Sequence, residues 1–147
     1  KIYIFEQKMF FFKFNFLETE HFWLKSKMCK KKYIKSLSWL RWVKGKKYSY
    51  LRADTYFRKY HQRNIEIVKD GGWHFSYIKP LEEIKKKLNS VIEEGHNQYT
   101  DEFLKTSVEK GFNFLNRNKT YLSKVKLDQT FPSFLLKNID KYKEFIA

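Results

Sequence analysis

The chain has 147 residues, of which 42% are hydrophobic and 20% aromatic, enough apolar material for one domain or part of one. Its formal net charge is +15, it has no uncharged apolar run of about 18 residues that would span a membrane, and its lone Cys29 excludes an internal disulfide. Arginine occurs only at Arg41, Arg52, Arg58, Arg63 and Arg117, so 26 of the 31 basic residues are lysines, which argues against nucleic acid as the partner because arginine is the better reader of phosphate and guanine.

In chain order, Ile2 to Phe5 and Met9 to Leu17 read as extended. Phe10, Phe12, Phe14 and Phe16 alternate with Phe11, Lys13 and Asn15, which predicts a strand with one rather polar face and an apolar edge open to pairing. Lys8 and Lys13 interrupt this apolar start and no small-residue cleavage site follows it, so a signal peptide is not expected. Glu20 to Lys27 reads as a paired strand carrying Trp23. The Lys30-Lys31-Lys32 run reads as a solvated loop, with acidic polysaccharide or anionic lipid as the more unusual partner for the stretch from Lys25 to Lys35. Lys31 to Leu40 reads as a short helix gathering Ile34, Leu37 and Trp39 or Leu40, broken by Gly45. Tyr48 to Lys59 is rich in aromatics and arginine without a clean period. Asn64 to Lys69 reads as a short strand.

The clearest helix starts at Pro80, with Glu82 and Glu83 in the first turn, an apolar stripe of Ile84, Leu88, Val91 and Ile92, Lys85 to Lys87 outside, and Gly95 as the stop. A second helix opens at the N-cap Thr100 and stops at Gly111. Phe112 to Arg117 is a further short piece, Val125 to Leu127 reads as a last strand, and Phe131 to Asn138, led by Pro132, as a docking helix. No repeat or linker divides the chain, so residues 1–147 read as a single partial domain of α/β class, short strands followed by several helices.

The stretch with the most chemistry is Asp70-Gly71-Gly72-Trp73-His74-Phe75-Ser76-Tyr77. Adjacent glycines open backbone conformations closed to other residues and allow close approach to a ligand. Trp73 offers a flat face of the kind on which sugars stack, and His74 a nitrogen that binds a metal or moves a proton. An ordinary glycine turn feeding an edge strand accounts for the same residues, with Asp70 as a turn residue. His21 and His61 have no motif around them and read as surface residues. No third Cys or His stands at zinc-ligand spacing from His74 and His96.

Taken together with its flanks, this stretch resembles glycosyltransferase family 17, the β-1,4-N-acetylglucosaminyltransferase-like family, and looks like its C-terminal part. The features carrying the resemblance follow in order over almost the whole chain: Phe5-Glu6-Gln7 leading the aromatic stretch, Trp23, Trp39-Leu40-Arg41, Gly71-Gly72-Trp73-His74-Phe75-Ser76, Gly95-His96-Asn97-Gln98-Tyr99, and Thr130-Phe131-Pro132-Ser133-Phe134 with Asn138 and Tyr142. Gln98 stands where the family has an acidic residue, and no Asp-x-Asp element occurs in the 147 residues.

The resemblance implies a GT-A-like nucleotide-sugar transferase fold. It implies transfer of N-acetylglucosamine or a related sugar from a UDP-sugar to a glycan acceptor, with a divalent ion such as Mn²⁺ whose acidic ligands lie upstream. The chain would then be an inactive fragment of a longer enzyme, cytoplasmic in a bacterial or viral setting and a Golgi membrane enzyme in animal relatives. His74 and His96 are the implied catalytic residues, lining one cleft, with His74 also the implied metal ligand. Gly71, Gly72, Trp73, Ser76, Arg41 and Arg52 are the implied substrate-binding residues. The alternative is a non-catalytic basic module that binds carbohydrate or nucleic acid.

Overall fold

The structure, a computed structural model, describes residues 1–46, 49, 51–53, 64–91, 99–115 and 119–147. It is a mixed α/β protein. In chain order its described elements are β1 (Ile2–Phe5), β2 (Gln7–Phe11), β3 (Phe16–Trp23), β4 (Lys27–Cys29), α1 (Leu37–Trp42), β5 (Ile65–Val68), β6 (Trp73–Ser76), α2 (Leu81–Val91), α3 (Asp101–Lys110), β7 (Phe112–Asn113), β8 (Thr120–Tyr121), β9 (Ser123–Lys124) and α4 (Ser133–Lys137), with 3₁₀ turns at Lys31–Tyr33 and Ile139–Phe145. The chain divides into two compact units, one of Lys1–Lys8 with Phe22–Trp73, the other of Met9–His21 with His74–Ala147.

The first unit is built on a three-stranded sheet in the order β4-β1-β5. β1 runs antiparallel to β4 and parallel to β5, with Ile2 opposite Ile65 and Ile4 opposite Ile67. Strand alternation sends Ile2 and Ile4 to one face, where they join Trp39, Val43 and Ile65 in a buried core. The helix covering that core is shorter and later than the sequence suggests. Lys31–Tyr33 forms a separate 3₁₀ turn, and α1 begins only after Ser36, whose hydroxyl accepts from the Trp39 N–H at 3.0 Å. Leu37 is therefore 79% exposed and Trp39, not an Ile34–Leu37 stripe, is the buried anchor. Lys30, Lys31 and Lys32 are exposed, as expected of a solvated run.

The second unit carries the four-stranded sheet β6-β2-β3-β9 and the small pair β7-β8. β2 lies between β6 and β3, so the phenylalanine stretch is not an open edge. Nor does it have a polar face. Phe11, Phe12 and Phe16 pack with Ile84 and Leu88 of α2 and Leu104 of α3, while Phe10 packs with Phe131 and Leu135 around α4. A sheet covered on both faces by helices buries both sides of its inner strand, and that is why consecutive phenylalanines are all apolar here. The extended stretch is interrupted after Phe11: the chain turns through residues 12–15 and β3 resumes at Phe16.

That turn is held by the tail. The buried Asn15 amide donates to the Ala147 carbonyl at 3.0 Å and accepts from the Ala147 N–H at 2.8 Å, and the Phe14 N–H donates to Phe145. α2 starts directly after Pro80, whose carbonyl accepts from Glu83 and Ile84 at 3.0 Å each. Its Ile84 and Leu88 are buried, as the stripe requires, whereas the Val91 side chain, Ile92 and the Gly95 stop lie outside the described residues. α3 has both of its expected ends: Thr100 accepts from the Phe103 N–H at 3.2 Å, and Gly111 is left-handed at φ 65°. The last strand sits at Ser123–Lys124, paired with Leu17 and Phe16 of β3, rather than at Val125 to Leu127; Val125 and Leu127 pack into the cluster around Phe10. Tyr48 and most of the stretch to Lys59 lie outside the described residues.

Candidate functional site

The glycine pair ends the turn between β5 and β6. Asp70 is left-handed at φ 48°, a conformation aspartate tolerates, and its exposed carboxylate stands 3.8 Å from Lys8 Nζ. Asp70 is thus a turn residue. The Gly71 N–H donates to the Glu6 carbonyl at 2.8 Å, and the Gly72 carbonyl accepts from the Lys8 N–H at 3.0 Å. A Cβ on Gly71 would lie 2.8 Å from the Phe5 Cβ and 3.0 Å from its Cα, so this glycine is required by close approach to the chain's own strand. Gly72 is required by its φ of 112°, with only the Gln7 amide nearby at 3.5 Å. Gln7 accepts from the Ser26 hydroxyl at 2.6 Å and reaches the Trp73 carbonyl at 3.5 Å, so it ties the turn to the start of β6. In the sequence the only signal for Gln7 is its place beside Glu6 ahead of the aromatic stretch.

β6 then carries Trp73, His74, Phe75 and Ser76 with alternating direction. Trp73 is 38% exposed. Phe75 points into the core, its ring 5.3 Å from Phe10 and 5.2 Å from Phe14. His74 and Ser76 take the opposite face, and both are half-buried. Trp73 and His74 are therefore neighbours in the chain whose side chains leave on different faces of the strand.

The surroundings of His74 come from α2. Burial, and then the charge of Lys87, hold its imidazole below the usual histidine range, so the ring is neutral around pH 7. Lys87 does not stand on the solvated outer face that the lysine run suggests. It is half-buried, with Nζ 3.8 Å from the Tyr77 ring centre, and burial followed by the Lys79 charge pushes it below the usual lysine range. Position 87 lies three residues after Ile84 and one before Leu88, on the flank of the apolar stripe, which is the signal that places it near the sheet. Burial raises the Tyr77 phenol above its usual range.

The strand ends of this region are strained. Tyr77, directly after β6, and Phe12, directly after β2, are both left-handed, at φ 57° and 63°, each costing about 1 to 2 kcal/mol for a non-glycine residue. The Phe12 N–H donates to the Ser76 carbonyl at 3.1 Å and the two rings lie 6.4 Å apart. Lys79, Glu83, Lys86, Lys87 and Ser90 line a shallow groove along α2 on the same unit.

The remaining residues expected at the site are placed elsewhere or not described. Arg41 lies on α1, exposed, lining a groove with Trp42 that contains none of Gly71 to Trp73. Arg52 is exposed in the segment after α1. His96 and His61 lie outside the described residues, and His21 is exposed as expected. Among the described residues no group of three His, Cys, Asp or Glu side chains is placed to hold a metal ion. His74 offers one neutral donor nitrogen, but the Lys87 charge beside it favours an anion over a cation, so the residues described do not form a metal centre on their own. No helix of the described residues is long and apolar enough to cross a membrane. Comparison with family models, with curated proteins and with solved structures finds no match.

Proposed function

We propose that the protein is a glycosyltransferase that moves N-acetylglucosamine or a related sugar from a UDP-sugar to a glycan acceptor, as the likeness of its Gly71-Gly72-Trp73-His74-Phe75-Ser76 run to glycosyltransferase family 17 suggests. The observation that carries the reading is the neutral, half-buried His74 beside the desolvated Lys87. A neutral imidazole presents one N–H donor, and a lysine ammonium supplies charge. Together they suit the diphosphate of a leaving nucleotide better than they suit a metal.

In the reaction an acceptor hydroxyl oxygen bonds to the anomeric carbon of the donor while that carbon's bond to the diphosphate breaks. The electron pair leaves with the diphosphate, and the hydroxyl proton passes to a general base. His74 and Lys87 would take up the charge that develops on the leaving group, a role worth most in a partly desolvated setting. A divalent ion such as Mn²⁺ belongs to this proposal as a companion of the diphosphate, with its acidic ligands expected upstream of this chain.

The test is His74→Ala in the natural protein, assayed for transfer and for UDP binding by the imidazole NMR signals of the wild type. Transfer should fall by roughly 10²-fold or more, and UDP should shift the His74 ring resonances. A well-folded variant transferring within about threefold of wild type, or His74 resonances indifferent to UDP, would overturn the proposal.

A further inference from the structure

The first unit carries a second chemistry-bearing surface, whose lining shares no residue with the His74 surroundings. A groove of about 570 Å³ runs between the segment that follows β3 and the end of α1. Its aromatic walls include Trp42 and Phe22, which are 55% and 52% exposed, large apolar faces that the unit leaves in water. Its polar lining is entirely basic: Lys25, Lys27, Arg41, Lys44 and Lys46, with no acidic residue among the described lining residues. The Lys27 ammonium is pinned inside, donating to the Arg41 carbonyl at 2.6 Å. Burial, and then the charges of Lys25 and Lys44, push Lys27 below the usual lysine range, so these cations repel one another across the groove. Gathering like charges around a half-buried ammonium is unfavourable until an anion enters.

We propose that this groove binds an acidic oligosaccharide, the pyranose faces against Trp42 and Phe22 and the carboxylates against the lysines. The choice of a sugar rests on the glycosyltransferase reading of the chain. The lining itself argues against the other anionic polymers. Four of the five cations are lysines, point charges without the planar fork that reads phosphate in pairs. They are also spread over two chain segments, suiting charges spaced along a chain more than a single diphosphate.

The test uses the natural protein and a tetragalacturonate, with its methyl ester as the uncharged chain of equal length, an eight-residue oligothymidylate and anionic phospholipid vesicles as competitors. Binding is read by tryptophan fluorescence and calorimetry. The acid should bind at least about tenfold more tightly than the ester, a difference of about 1.4 kcal/mol. Trp42→Ala, and separately the exposed pair Lys25→Ala with Lys44→Ala, should each weaken it by about tenfold or more while leaving UDP binding as in the wild type. Equal binding of acid and ester, stronger binding of the oligothymidylate or the vesicles, or variants that bind tetragalacturonate as well as the wild type would each overturn the proposal. Failure here with UDP binding intact would leave the glycosyltransferase reading standing. Acid binding at the groove with no UDP binding would overturn that reading and keep the groove.

Discussion

At the scale of single residues, Gly71 and His74 do different work within one short run. Gly71 is present because Phe5 occupies the space of a side chain, with 2.8 Å between the would-be Cβ and the Phe5 Cβ. Gly71→Ala must displace a strand backbone, so it should destabilise the protein by about 1 to 3 kcal/mol; denaturant unfolding measures this. For His74 the expectation concerns pH. Its folded pKa lies below the unfolded value, so the unfolded chain binds more protons in the window between them. The stability tied to the neutral ring is complete above about pH 6.5, the unfolded histidine value, and is lost as pH falls through the folded value. Melting temperatures from pH 7.5 down to 5 should therefore decline less in His74→Gln than in wild type. An equal decline in both would remove His74 as a source of the acid sensitivity.

At the scale of elements, α2 and β2 explain each other. Ile84 is fully buried and Leu88 4% exposed in a cluster with Phe11, at the end of β2, and Phe12, directly after it. Leu88→Ala should cost about 2 to 5 kcal/mol, read from denaturant melts. The exposed Lys86→Ala on the same helix should change stability by less than about 0.5 kcal/mol. The N-cap of α3 gives an intermediate case: Thr100→Ala removes the acceptor for the Phe103 N–H and should cost about 0.5 to 2 kcal/mol. Much of this scale was legible in the residues. Pro80, the Ile84–Leu88 spacing, Thr100 and Gly111 are local signals, and the helices obey them. Leu37 misled because a helix stripe says which residues share a face but not where the helix begins; the Ser36 cap sets that, after a separate 3₁₀ turn.

At the scale of the whole molecule, each unit draws on chain segments far apart in sequence. β1 is the centre of the β4-β1-β5 sheet and pairs in parallel with β5 more than sixty residues later, Ile2 opposite Ile65. Removing residues 1–6 would leave β4 and β5 without their common neighbour, so the amides of Ile65 to Val68 should lose their hydrogen-exchange protection. Retained protection there would contradict the pairing.

By itself the sequence determined the α/β class, the start of α2 and both ends of α3, because capping, helical spacing and glycine chemistry act over a few residues. Tertiary structure alone decided that the phenylalanine strand is buried on both faces, that Gly71 closes on Phe5 and that Lys87 turns in beside His74. It alone gathered five cations around Trp42. Each of those depends on which distant segments are neighbours, and side-chain burial and charge coupling are set by that neighbourhood rather than by the residues alone.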